Sequence, residues 1–140
     1  METVTMFLQI ALLIWFFGCI CTYRIGNTVL VEGMGIKSAE FVMLCLFASG
    51  TVFFWVFPAW GNWYLLGVLI LWVVVQFFCH WYYTIFGASQ KKLEGYNACF
   101  RNTLHWIPAS DTRLIPDLYH IILHGLILLN LVFVICHIVL

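Results

Sequence analysis

Four long apolar runs separated by short polar breaks organise this sequence, and the length of each run decides what it can be. The first covers residues 3–23 and ends where Arg24, Gly26, Asn27, Glu32 and the Gly33-Met34-Gly35 turn interrupt it. The second covers residues 39–57 and closes on Pro58, with Trp60-Gly61-Asn62-Trp63 read as a tight connection to a third run over residues 63–86. The fourth covers residues 116–140, with Pro116 suited to a first helical position and Asp117 placed favourably at the positive helix end. At 1.5 Å per residue, runs of about 20 residues match a hydrocarbon core of about 30 Å. The pattern therefore predicts an all-α integral membrane protein built as a four-transmembrane-helix antiparallel bundle, with residues 1–140 forming one transmembrane domain.

Between the third and fourth runs the period changes. Leu93, Tyr96, Phe100, Leu104 and Ile107 recur every three or four positions, opposite Lys92, Glu94, Arg101 and Asn102. This spacing predicts a short amphipathic surface helix over residues 89–107, ended by Pro108 and followed by a turn over residues 109–113.

Composition agrees with the pattern. Hydrophobic residues make up 64% of the chain and charged residues 9%, and the mean hydropathy is +1.02, which excludes a water-soluble fold. Six basic residues balance six acidic ones without any basic block, so nucleic-acid partners are not expected. Most of the six cysteines fall in apolar runs and are read as reduced thiols. No Lys or Arg precedes the first run, so it reads as a retained span and not as a secretory signal.

Charge also sets an expected orientation. Arg24 and Lys37 lie between the first two runs, and Lys91, Lys92, Arg101 and Arg113 between the last two. The positive-inside rule places both connections in the cytoplasm and both termini outside.

Polar groups inside apolar helices are costly in lipid and mark candidate sites. Gln76, Cys79, His80 and Tyr83 share one α-helical face of the third run, and Asp117, His120 and His124 share one face of the fourth. His80 and His124 both lie roughly 10 Å below the same membrane surface, counted at 1.5 Å per residue. Three chemistries fit such a layer. His80, His120 and His124 can act as metal ligands with an Asp oxygen beside them, although His-xxx-His without an intervening glutamate is not a zinc-protease motif. Haem can be held between His80 and either His120 or His124. Lys91, Lys92, Arg101 and Arg113 can hold an anionic lipid headgroup while His105, Asp117, His120 and His124 move protons. The same residues also serve in many bundles as plain interhelical hydrogen bonds.

The expected function is thus a small membrane enzyme, or a protein binding a metal, haem or lipid headgroup, with its site in the cytoplasmic leaflet. The alternative is a small transporter, channel or non-catalytic accessory subunit, for which polar residues should continue through the full thickness. Only Gln9, Asn130 and His137 do so strongly in the outer half. The expected partners are the bilayer, a lipidic or small-molecule ligand, and further copies of the chain in a dimer or trimer, or a partner membrane subunit, because so small a bundle has polar faces to cover.

Overall fold

The computed structural model describes residues 2–100 and 102–140. In chain order they form α1 (Glu2–Phe16) followed by a 3-10 turn (Phe17–Cys19), strands β1 (Tyr23–Ile25) and β2 (Thr28–Val31), then α2 (Ala39–Val56) and α3 (Pro58–Gln76). A π-helical segment (Phe77–Trp81), α4 (Tyr82–Phe86), α5 (Gln90–Phe100) and α6 (Leu118–Val139) complete the chain. Among the described residues, four helical stretches are long and apolar enough to cross a membrane: Glu2–Cys19, Ala39–Val56, Pro58–Phe86 and Leu118–Val139.

The helix ends follow local chemistry. Ser38 caps α2 by accepting from the Phe41 amide at 3.2 Å, and Asp117 caps α6 by accepting from the His120 amide at 2.9 Å. Helix α6 thus starts two residues later than the 116–140 run, with Pro116 outside the helix and Asp117 as its cap. The connection expected at residues 60–63 shifts as well: Pro58 opens α3, so the turn between α2 and α3 is compressed onto Phe57, and Trp60-Gly61-Asn62-Trp63 is helical. Gly61 is what permits this, since a Cβ there would overlap the backbone of Phe53 and Phe54. Further along the same hairpin, Gly50 lies against Tyr64 and Leu65, and the Ser49 and Tyr64 hydroxyls are 3.1 Å apart.

One apolar core joins all four long helices: Leu12 and Phe16 of α1, Phe47 and Phe54 of α2, Leu65, Leu69 and Trp72 of α3, and Leu123, Ile127 and Val134 of α6. Trp72 is fully buried, with ring centroids 4.4 Å from Phe16 and 5.5 Å from Phe47. Polar ties cross the same core. The Trp15 indole donates to the Tyr119 carbonyl at 3.1 Å while the Tyr119 hydroxyl donates back to the Trp15 carbonyl at 2.9 Å, clamping α1 to α6. Elsewhere Trp55 donates to Gln9 Oε1 at 2.8 Å, and Asn130 donates to the Leu8 carbonyl at 3.1 Å. These are the pairings that buried polar groups require where no water competes.

Two departures from the sequence reading shape the site. The first apolar run does not stay helical to residue 23: α1 gives way to the 3-10 turn at Phe17, and Tyr23 with residues 24–31, expected as loop, forms an antiparallel hairpin pairing Arg24 with Val29 and Ile25 with Thr28. The fold is therefore not purely α-helical. The amphipathic helix is also shorter than residues 89–107, running only from Gln90 to Phe100. Beyond it, Thr103 bridges to Val29, the Leu104 amide donates to the Val29 carbonyl at 3.0 Å, and the Leu118 amide donates to the Leu104 carbonyl at 2.8 Å. Here the β-edge of the hairpin outcompetes another turn of helix for the backbone groups near Leu104. Hairpin, α5 and the 102–117 segment together cap one end of the helices.

Candidate functional site

Two histidine helices meet beneath this cap, and they meet because α3 changes its winding. In the π-helical segment the Tyr82 amide donates to the Phe77 carbonyl, an i to i+5 step. A π turn brings residues five apart onto one face, so Gln76 and Trp81 converge on the same partner. The Trp81 indole donates to His124 Nδ1 at 2.6 Å, and His124 Nε2 lies 2.8 Å from Gln76 Oε1. Indole nitrogen is a donor only, so His124 Nδ1 accepts and Nε2–H donates to the glutamine oxygen. This fixes the tautomer and uses both ring nitrogens of His124 in joining α3 to α6.

His80 and His120 are placed differently. The Asp117 carboxylate that caps α6 also reaches His120 Nδ1 at 2.6 Å, so His120 carries its proton on Nδ1 and turns a bare Nε2 outward, the carboxylate–imidazole arrangement of a general base. Asp117 is fully buried, with the Thr103 side chain also beside its carboxylate. His80, 7% exposed, lies with its Nδ1 2.8 Å from the Tyr96 hydroxyl of α5. Burial, with Asp117 adding to it, raises the Tyr96 pKa and keeps the phenol protonated. Its proton has no other acceptor among the described residues, so Tyr96 donates to Nδ1 and His80 presents Nε2–H. The two rings are tilted by 34° to each other with centroids 4.5 Å apart. One ring thus carries a bare acceptor nitrogen and its neighbour an N–H donor, neither Nε2 bonded to another described residue.

Both rings line a cavity of about 490 Å³. Its floor is aromatic and apolar, from Phe16, Trp72, Tyr119 and Leu123, and its roof comes from the cap, with Val31 and Met34 after the hairpin and Cys99 and Phe100 of α5. Glu32 and Glu40 supply its carboxylates. Asn102 donates to Glu32 Oε1 at 3.4 Å, linking the segment after α5 to the segment after β2.

Of the expected site residues, the structure gathers His80, Asp117, His120 and His124 but separates their roles. His105 is exposed, its Nδ1 donating to the Thr103 carbonyl at 2.9 Å, and it does not line the cavity. Lys91, Lys92 and Arg113 are exposed and also lie outside the lining; Lys92 Nζ sits 5.0 Å over the Tyr83 ring. Arg101 lies outside the described residues. His124 has both nitrogens engaged, no group of three or more His, Cys, Asp or Glu side chains among the described residues is arranged to hold a metal, and rings in 4.5 Å contact leave no slot for a porphyrin between His80 and His120. All six cysteines are free thiols.

The residues that sequence reasoning missed are Tyr96, Trp81, Glu32 and Glu40. The spacing puts Tyr96 on the apolar face of the surface helix but gives no sign of its hydroxyl partner, His80. Glu32 and Glu40 are isolated acids beside turns, and only the hairpin brings them to one cavity. Comparison of the chain with protein-family models, curated proteins and solved structures finds no match.

The His124 crosslink carries a direct test. Trp81→Phe keeps an aromatic ring, though a smaller one, and leaves buried Nδ1 without its donor, and is expected to lower stability by about 1–3 kcal/mol. Reversible unfolding in mixed micelles measures it; an unchanged midpoint would mean that the indole bond does not hold α3 to α6.

Proposed function

We propose that this chain is a multi-pass membrane protein whose four long helices form an antiparallel bundle, with the cap and cavity on the cytoplasmic side and both termini outside. The clustering of Arg24, Lys37, Lys91, Lys92, Arg101 and Arg113 in the two connections supports this orientation. At the cavity the protein binds an amphiphilic small molecule and acts on its polar end by proton transfer: His120, oriented by Asp117, is the base, and His80 Nε2–H is the adjacent donor. The observation that carries the reading is the bare His120 Nε2, held by a buried carboxylate at the edge of a cavity with apolar floor and polar rim.

A conduction path has less support. Gln9 and Asn130 in the outer half are engaged in interhelical bonds, and the His137 ring packs on Phe54 at 5.1 Å, so the polar groups there hold helices together instead of lining a passage. The polar faces that called for a second copy, those of Gln76, His80 and His124, are met within one chain. The working unit of this proposal is accordingly the monomer.

Diethyl pyrocarbonate acylates an unprotonated, accessible imidazole nitrogen, which makes it a test of these assignments. In lipid nanodiscs, peptide mass mapping is expected to find His120 and the exposed His105 modified and His124 spared. A silent His120, or a modified His124, would overturn the proposed base.

A further inference from the structure

The charge of the cavity lining restricts the molecule it takes. Its ionisable carboxylates are Glu32 and Glu40, and among the described residues no Lys or Arg lines it. His120 offers a lone pair toward the space, and His80 an uncharged N–H. An anionic headgroup entering here would meet two like charges and, among the described residues, no permanent cation, whereas Lys91, Lys92 and Arg113, expected to hold it, lie outside the lining. A cation meets the opposite surroundings. Glu40 in the first turn of α2 and Glu32 after β2, both exposed, line the cavity together with the aromatic residues Phe16, Trp72, Tyr119 and Phe100. Ring faces and edge carboxylates together are the chemistry that recognises ammonium groups. His80, more than nine-tenths buried with Nε2 unbonded at this cavity, indicates independently that the space is made for a polar ligand.

We infer that the ligand is an ammonium amphiphile, whose cationic nitrogen lies between Glu32, Glu40 and the aromatic floor while its tail follows the apolar wall of Met43, Val75 and Leu123. This rests on the proposed amphiphile-binding reading and specifies its headgroup. An ammonium that carries N–H would donate a hydrogen bond to His120 Nε2; a quaternary ammonium would bind without that bond.

Cys79 and Cys99 line the cavity and Cys21, exposed outside it, is the internal control. The full-length protein in nanodiscs is treated with a maleimide in the presence of octyltrimethylammonium, octyl sulfate, octanol or a short-chain lysophosphocholine, and labelling rates are read by mass spectrometry. Octyltrimethylammonium is expected to slow Cys79 and Cys99 at a concentration at least about ten-fold below that needed with octyl sulfate or octanol, leaving Cys21 unchanged, which is the effect of about 1.4 kcal/mol of charge recognition. Glu32→Gln with Glu40→Gln should erase that preference while octanol still protects. Protection by lysophosphocholine at similar concentration would identify a lipid headgroup as the source of the ammonium, and its absence a free amine. Equal or stronger protection by octyl sulfate, or an undiminished preference in the double variant, overturns the ammonium assignment while leaving the cavity as an amphiphile site. Protection by none of the four overturns both.

Discussion

Gly61→Ala is expected to be among the most damaging single-methyl additions available to this fold. The ideal Cβ at this position overlaps the Phe53 carbonyl and the Phe54 nitrogen, and these atoms cannot swing aside as a side chain can. The Phe53 carbonyl already accepts the Phe57 amide at 2.8 Å, the bond that ends α2, and the Gly61 amide donates to the Phe57 carbonyl at 2.8 Å. Any shift that relieves the overlap therefore strains both sides of a one-residue turn and separates Phe53 from Tyr64, whose rings lie 5.7 Å apart. Overpacking of this kind costs typically ~1–3 kcal/mol and more where backbone must move, so a loss of about 3 kcal/mol is expected. Gly67, six residues along the same helix, has open space at its Cβ position, and Gly67→Ala should be neutral or stabilising by up to about 1 kcal/mol through helix propensity. Unfolding of both variants in mixed micelles makes the comparison internal. Equal midpoints would mean that α2 and α3 are not in this contact.

The hairpin turn also marks how far the sequence can be read. The four apolar runs and the burial of Leu93 and Tyr96 were legible because length and period-3.6 spacing are properties of one segment at a time. The strands at residues 23–31 were not read, although Gly26-Asn27 between Tyr-Arg-Ile and Thr-Val-Leu-Val is a local hairpin signal. What obscured it was the apolar run immediately before, which continues in composition through Tyr23 while the backbone leaves the helix at Phe17.

At the site, the layer of His80, Asp117, His120 and His124 could be placed by counting residues, but their division of labour could not. An α-helical count puts Cys79 and Tyr83 on the face of Gln76, whereas the π-helical segment puts Trp81 there instead. Because a π segment depends on tertiary partners for its extra residue, nothing in the spacing announces it. Nor can a single-segment reading show that the hairpin brings carboxylates, and not the basic residues, to the cavity.

Asp117 links the fold of α6 to the chemistry proposed for it, and two substitutions separate those roles. In Asp117→Ala both the cap to the His120 amide and the bond to the His120 ring are lost. The cap contributes about 1 kcal/mol and a hydrogen bond to a charged group about 1.5–3 kcal/mol, so a loss of about 2–4 kcal/mol is expected. Asp117→Asn keeps a good capping oxygen and fills nearly the same space, so most of the helix stability should remain. The ring bond changes in kind, however. A neutral amide accepts the Nδ1 proton more weakly and no longer holds the ring by a charge-assisted bond, so His120 Nε2 becomes a weaker nucleophile. Its acylation by diethyl pyrocarbonate should then fall about ten-fold in Asp117→Asn while that of the exposed His105 stays constant, a separation a purely structural cap would not produce. Retained His120 reactivity in the asparagine variant, with only the alanine variant impaired, would reduce Asp117 to a helix cap and leave the cavity as a binding site without a positioned base.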